Sequence, residues 1–136
     1  MVFSMIKIRR GLDLPISGAP KQEIHDGPKT SQIAVIGSDF HGMKPTMEVK
    51  VGDSVSKGQL LFTDKKNPGV QFTSPSSGTV VEINRGERRI FQSLVIDIEG
   101  DEKITFPSVE ENKLSTLSRE QIVDNLVNSG QWVSLK

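Results

Sequence analysis

Over much of this chain apolar residues recur at every second position, the spacing of extended backbone that buries one face. Residues 5–16 carry the pattern at Ile6, Ile8, Leu12, Leu14 and Ile16. Residues 17–31 hold Pro20, Gly27 and Pro28 with little apolar content, and read as loop. Residues 32–36 form a short apolar strand closed by Gly37. Lys44 precedes Pro45, a pairing that disfavours helix and keeps the backbone extended. The densest patterning follows. Strands are expected at 47–51, 59–63, 70–73, 79–83 and 93–99, with turns at Gly52-Asp53, Lys57-Gly58, 64–69, 74–78 and 85–87. Val55 stands alone as an apolar anchor between two turns. In Asn67-Pro68-Gly69 a fixed φ at proline precedes a residue that tolerates positive φ.

Two of these stretches repeat. Setting Gly52-Asp53 over Gly86-Glu87 aligns segments 34 positions apart. Leu60, Leu61 and Phe62 then fall on Leu94, Val95 and Ile96, and Val55 falls on Arg89 beside Ile90. Two copies are too few for a solenoid. They predict a mostly β fold in which two related hairpin halves cover each other's apolar faces.

Past Gly100 the period changes. Ser118-Arg119-Glu120-Gln121 has the form of a capping box. Ile122, Val123, Leu126 and Val127 follow at helical spacing, and Gly130 can end the helix in the left-handed conformation. One amphipathic helix near the C-terminus is therefore expected. Trp132, Val133 and Leu135 lie beyond it, and such an apolar tail predicts further chain past Lys136. The organisation expected is an N-terminal extension at 1–4, a β domain at 5–106 and a helical segment at 107–136 leading into a C-terminal part.

Charge and composition remove several function classes. Seventeen basic residues balance seventeen acidic ones, whereas a nucleic-acid binder usually shows a clustered basic excess. Arg85, Arg88 and Arg89 are the densest basic patch, but Glu87 interrupts it, and a solvated turn is the simpler reading. The chain has no cysteine, which excludes disulfides, iron–sulfur clusters and thiolate metal sites within it. No apolar run approaches the roughly 20 residues of a membrane-spanning helix.

The run Val51-Gly-Asp-Ser-Val-Ser-Lys-Gly-Gln-Leu-Leu, followed by Ser74-Pro-Ser-Ser-Gly-Thr-Val, resembles the biotinyl/lipoyl domain pattern over residues 50–99. That resemblance implies a flattened barrel-sandwich with quasi-twofold symmetry. It also implies an alternative function, a carrier modified on a turn lysine, Lys65 or Lys66. Counting back from Pro75, however, the acceptor position falls on Asn67, and no Met-Lys-Met motif is present.

A wider resemblance covers residues 5–132. Met5-Ile-Lys-Ile-Arg-Arg-Gly-Leu-Asp-Leu-Pro-Ile-Ser-Gly-Ala-Pro, Gly42-Met-Lys-Pro-Thr-Met, Asp64-Lys-Lys-Asn-Pro-Gly-Val, Ile83-Asn-Arg-Gly-Glu-Arg-Arg and Ser129-Gly-Gln-Trp occur in order. Together they resemble the amino-terminal part of the A subunits of the sodium-translocating NADH:quinone oxidoreductases. The related C subunits of the Rnf electron-transport complexes share the barrel-sandwich region but carry cysteine clusters that this chain lacks. The resemblance implies a peripheral subunit on the cytoplasmic side of a bacterial inner membrane, docked on the membrane-embedded B subunit. It implies FAD, FMN, riboflavin and an iron–sulfur centre on other subunits, and ubiquinone as a ligand of the full-length protein. It implies no cofactor held by this chain, and no catalytic residue is carried over.

The remaining chemistry-bearing residues have plain readings. His25 and His41 lie 16 positions apart in loop-like sequence and read as surface histidines rather than metal ligands. Asp97 and Glu99 alternate with Ile96 and Ile98, as on the solvated face of a strand. Ser74, Ser76 and Ser77 lack the frame of a nucleophile elbow, and no phosphate-binding glycine loop occurs. The turn Lys65, Lys66, Asn67, Pro68 and Gly69 is the candidate partner-contact surface. The expected role is docking or scaffolding in a redox complex, with no catalysis by this piece alone.

Overall fold

The computed structural model describes Gly11 and residues 17–135. The apolar positions of the 5–16 alternation lie outside them. Seven strands occur among the described residues: β1 (Gln32–Ile36), β2 (Pro45–Met47), β3 (Ser54–Val55), β4 (Leu60–Asp64), β5 (Gln71–Thr73), β6 (Gly78–Arg85) and β7 (Phe91–Ile98). They form two sheets, ordered β1-β7-β6-β3 and β2-β4-β5, with every pair antiparallel.

The apolar alternation supplies the core between the sheets. Leu61 and Phe62 of β4 meet Val80 of β6 and Leu94 and Ile96 of β7, and all five are fully buried. Phe62 stacks on Phe72 with ring centroids 4.7 Å apart and meets the edge of Phe91 at 5.3 Å. Phe40 completes the row, edge-on to Phe72 at 4.7 Å. Such pairs add about 0.5–1.5 kcal/mol each beyond the area they bury. Here they couple β4 and β5 of one sheet to β7 of the other.

The mostly β barrel-sandwich expected from the sequence is what forms, with local departures. The strand expected at 47–51 ends at Met47, although Glu48 N–H still reaches Leu61 O at 2.9 Å. Beyond it the Asp53 carboxylate accepts from Lys50 N–H at 3.0 Å, and Asp53 N–H donates to Lys50 O. This turn competes with the ladder, as aspartate side chains do. The 34-residue repeat sets β4 on β7, but residues 48–51 lie outside any strand while their counterparts 82–85 belong to β6, and the turns differ too. Gly52 has φ 94° and Gly86 has φ −88°. Val55 is buried in β3, which joins the opposite sheet, while its counterpart Arg89 is exposed.

The expected helix is α1 (Arg119–Asn128). Its capping box is complete: Gln121 N–H donates to Ser118 Oγ at 3.2 Å, and Ser118 N–H donates to Gln121 Oε1 at 2.9 Å. Gly130 ends it at φ 75°, and a Cβ there would meet Thr73 Oγ1 at 2.5 Å. Thr73 Oγ1 donates to Ser129 O at 3.1 Å, tying the helix end to β5. A short 3-10 turn, Gln131–Leu135, then lays Val133 against the core. No helix among the described residues is long and apolar enough to cross a membrane.

Candidate docking site

Strand β4 ends on a carboxylate turned inward. Asp64 is only 5% exposed, and its two oxygens collect three donors from the turn that follows and the strand alongside. Oδ1 accepts from Lys44 N–H and from Lys66 N–H, each at 3.0 Å, and Oδ2 accepts from Asn67 Nδ2 at 2.6 Å. The local sequence explains the arrangement. Pro45, opposite Asp64 in the ladder, has no N–H to give, so this edge takes its hydrogen bonds on either side of the pair. Lys65 N–H donates to Lys44 O at 2.8 Å, and Asp64 N–H donates to Val70 O at 3.1 Å. Gly69, at φ 92°, supplies the left-handed residue that returns the chain to β5.

Burial by itself would raise the Asp64 carboxyl pKa. The Asn67 amide, the Lys44 and Lys66 N–H groups and the Lys66 charge outweigh it and hold the group below its ordinary value of 3.8. Asp64 is therefore an ionised clamp at neutral pH. The five residues it organises, Lys65, Lys66, Asn67, Pro68 and Gly69, are all exposed. The result is a fixed protrusion carrying two ammonium groups.

The candidate turn is thus brought together as one unit, and the residue that shapes it was not singled out from sequence. The signal was present, since an Asp three positions before an Asn in a Pro-Gly turn is a side-chain-to-backbone turn former. Other residues weighed for chemistry do not converge on it. Asp97 Oδ1 accepts from Gln32 Nε2 at 2.7 Å across the β1–β7 ladder. Ser74 Oγ donates to Ser76 O at 2.6 Å and Ser76 Oγ to Ser77 O at 3.1 Å, which makes them turn-forming serines. Exposed His25 pairs with Glu23 at 3.3 Å. No group of three or more metal-ligating side chains gathers among the described residues. Asn67, at the position where a carrier lysine would sit, is committed to Asp64, and the carrier alternative gains no support.

Beside the turn lies a cleft of about 490 Å³, with Asp64 and Asn67 at its polar end. Its apolar wall is Phe40, Met43, Phe72, Trp132, Val133 and Leu135. The tail beyond α1 closes one side of it.

Residues 6–99 match the family model for the NqrA N-terminal barrel-sandwich hybrid domain. The chain belongs to this family. The match to the NqrA N-terminal domain spans every strand of both sheets and the Asp64 turn. Over 132 residues, 97% of its length, the chain is 63% identical to the A subunit of the Na(+)-translocating NADH-quinone reductase of Hahella chejuensis, and likewise to that of a Marinomonas strain. It is 56% identical over the same length to the protein of that name from Haemophilus influenzae. The chain spans about 30% of the length of these curated relatives.

Proposed function

We propose that the chain acts as the amino-terminal docking domain of the NqrA protein in a sodium-translocating NADH:quinone reductase. In this reading it sits peripherally on the cytoplasmic side of the membrane and supports quinone reduction without carrying redox cofactors. FAD, FMN, riboflavin and the iron–sulfur centre belong to other subunits, and the membrane-embedded B subunit is the chief partner. Residues 5–106 form the docking domain proper, and 107–136 lead from it into the rest of the protein. The observation that carries the reading is the Asp64-clamped turn. Its shape is fixed before any partner arrives, so little ordering cost remains to be met on binding.

The test places Lys65→Glu and Lys66→Glu together in a full-length relative expressed with the rest of its complex. Both side chains are exposed, and since the Asp64 clamp also loses the Lys66 charge the melting temperature should fall only slightly. Lys65→Glu alone, remote from that interaction, should leave it unchanged. Retention of the NqrA protein through purification should fall about tenfold, as expected for reversed interface charges. Undiminished retention would refute the docking role of the turn. Stoichiometric flavin absorbance in the isolated chain would refute the view that it carries no cofactor.

A second reading is favoured by the apolar cleft, whose size suits a ring-bearing ligand. Here the chain contributes part of the quinone site, through Phe72 and Trp132. Photoreactive quinone analogues applied to the assembled complex should then label residues of the cleft, and labels confined to other subunits would rule it out.

A further inference from the structure

The hairpin turn joining β6 to β7 faces the segment leading into β2 across a groove of about 740 Å³. Lys44 and Lys66 line it from one sheet's side, and Arg85, Arg88 and Arg89 line it from the hairpin, with His41 also present. Among the described residues no aspartate or glutamate lines it: Glu87 of the same turn and Asp64 beneath the lysines are both absent from its walls. The ion pair of Glu110 with Lys113 and the contact of Glu23 with His25 lie elsewhere. In a chain whose charges balance overall, five cations lining one hollow with no acidic side chain among its described lining residues are a local segregation of charge. Such a hollow raises the local concentration of anionic groups.

The backbone is consistent with this. Arg88 and Arg89 sit at φ 54° and φ 60°, successive left-handed positions that glycine would occupy without strain. Strain of this kind is characteristic of functional segments. Phe40, Met43, Ile90 and Phe91 add apolar lining, and Ile90 is 64% exposed.

We infer that this groove receives an acidic segment of a partner polypeptide bearing an apolar side chain that covers Ile90. The inference rests on the docking reading and supplies the chemistry of the partner. Lys66 belongs to both the clamped turn and the groove, so the two surfaces are continuous. Three features favour a polypeptide. The cations come from three separate segments instead of converging on one point with backbone N–H groups, as phosphate sites do. The site is concave, which a flat lipid surface cannot fill. Its aromatic rings are packed into the fold, whereas a single-stranded nucleic acid needs rings presented for stacking.

The experiment titrates the 136-residue chain into a fluorescein-labelled peptide of alternating glutamate and leucine, read by fluorescence anisotropy. Saturable binding is expected that weakens as ionic strength rises towards about 0.15 M. A peptide of alternating lysine and leucine should not bind. Arg88→Gly with Arg89→Gly should weaken binding about tenfold at low salt, as should Lys44→Glu with Lys66→Glu. The glycine pair relieves the left-handed strain, so it should melt no lower than the parent, which separates lost binding from lost folding. Binding indifferent to both pairs overturns the inference. So does displacement of the peptide by inorganic phosphate at equal concentration, or capture of the chain by phosphatidylglycerol vesicles without peptide binding. The docking reading is judged separately, by retention of the NqrA protein in the assembled complex. If retention depends on the turn while the peptide fails to bind, docking stands and the groove inference falls.

Discussion

Replacing Asp64 by alanine should destabilise the chain by more than any exposed carboxylate in it could. The substitution removes the acceptor for Lys44 N–H, Lys66 N–H and Asn67 Nδ2 at once. A hydrogen bond to a charged group contributes about 1.5–3 kcal/mol, but Lys44, Lys66 and Asn67 are exposed and water can replace much of what they lose. A net loss of about 2–3 kcal/mol remains. For a chain of this length that corresponds to a melting-temperature drop of roughly 6–15 °C. Asp64→Asn keeps an oxygen for the two backbone donors and should cost about 1 kcal/mol. The pH dependence gives a second check. The carboxyl is held below its ordinary value of 3.8 in the folded state, so its contribution is fully present above that value and is lost as pH falls through the lower, folded one. Differential scanning calorimetry of parent and Asp64→Ala across this range should show the gap closing towards low pH. A gap that stays constant with pH, or a drop of under about 2 °C at neutral pH, would refute the clamp.

Two further predictions concern the frame that holds the site. Phe62→Ala removes the ring that bridges Phe72 and Phe91, and denaturant unfolding should report a loss of about 3–5 kcal/mol. Ser118→Ala breaks the capping box and should cost about 1 kcal/mol, visible as reduced helical circular dichroism with little effect on the β signal.

Legibility from sequence followed the range of the interactions. The strand cores were readable because burial on one face leaves a period-two trace, as Leu94 and Ile96 do in β7. The helix was readable because its start is encoded within four residues, Ser118 to Gln121. The short strand β2 was misplaced because Asp53 competes for the backbone there, a contest between two local preferences that pattern alone does not decide. At the candidate site the exposed residues 65–69 could be named from turn chemistry, but their organiser could not be ranked. Whether Asp64 points out to water or inward to Lys44 depends on the pairing of β4 with β2, which lies 20 residues back. The groove was least legible. Arg85, Arg88 and Arg89 look like a solvated turn until folding sets them across from Lys44 and Lys66.

Strand β3 is only two residues long, yet it leaves the hairpin half that encodes it and pairs with β6 of the other sheet. The β6–β7 hairpin closes its own ladder, but the first half cannot complete its hydrogen bonds until that hairpin offers β6 to β3. The β1–β7 ladder adds to this, pairing Gln32 with Asp97, 65 positions further along the chain. Loop-closure entropy must be met before these distant pairings return any stability, which makes the domain a slow folder for its size. Cutting the backbone between the halves would leave β3 without its partner strand and the Asp64 turn without the opposite sheet that buries β4, until the two pieces recombine.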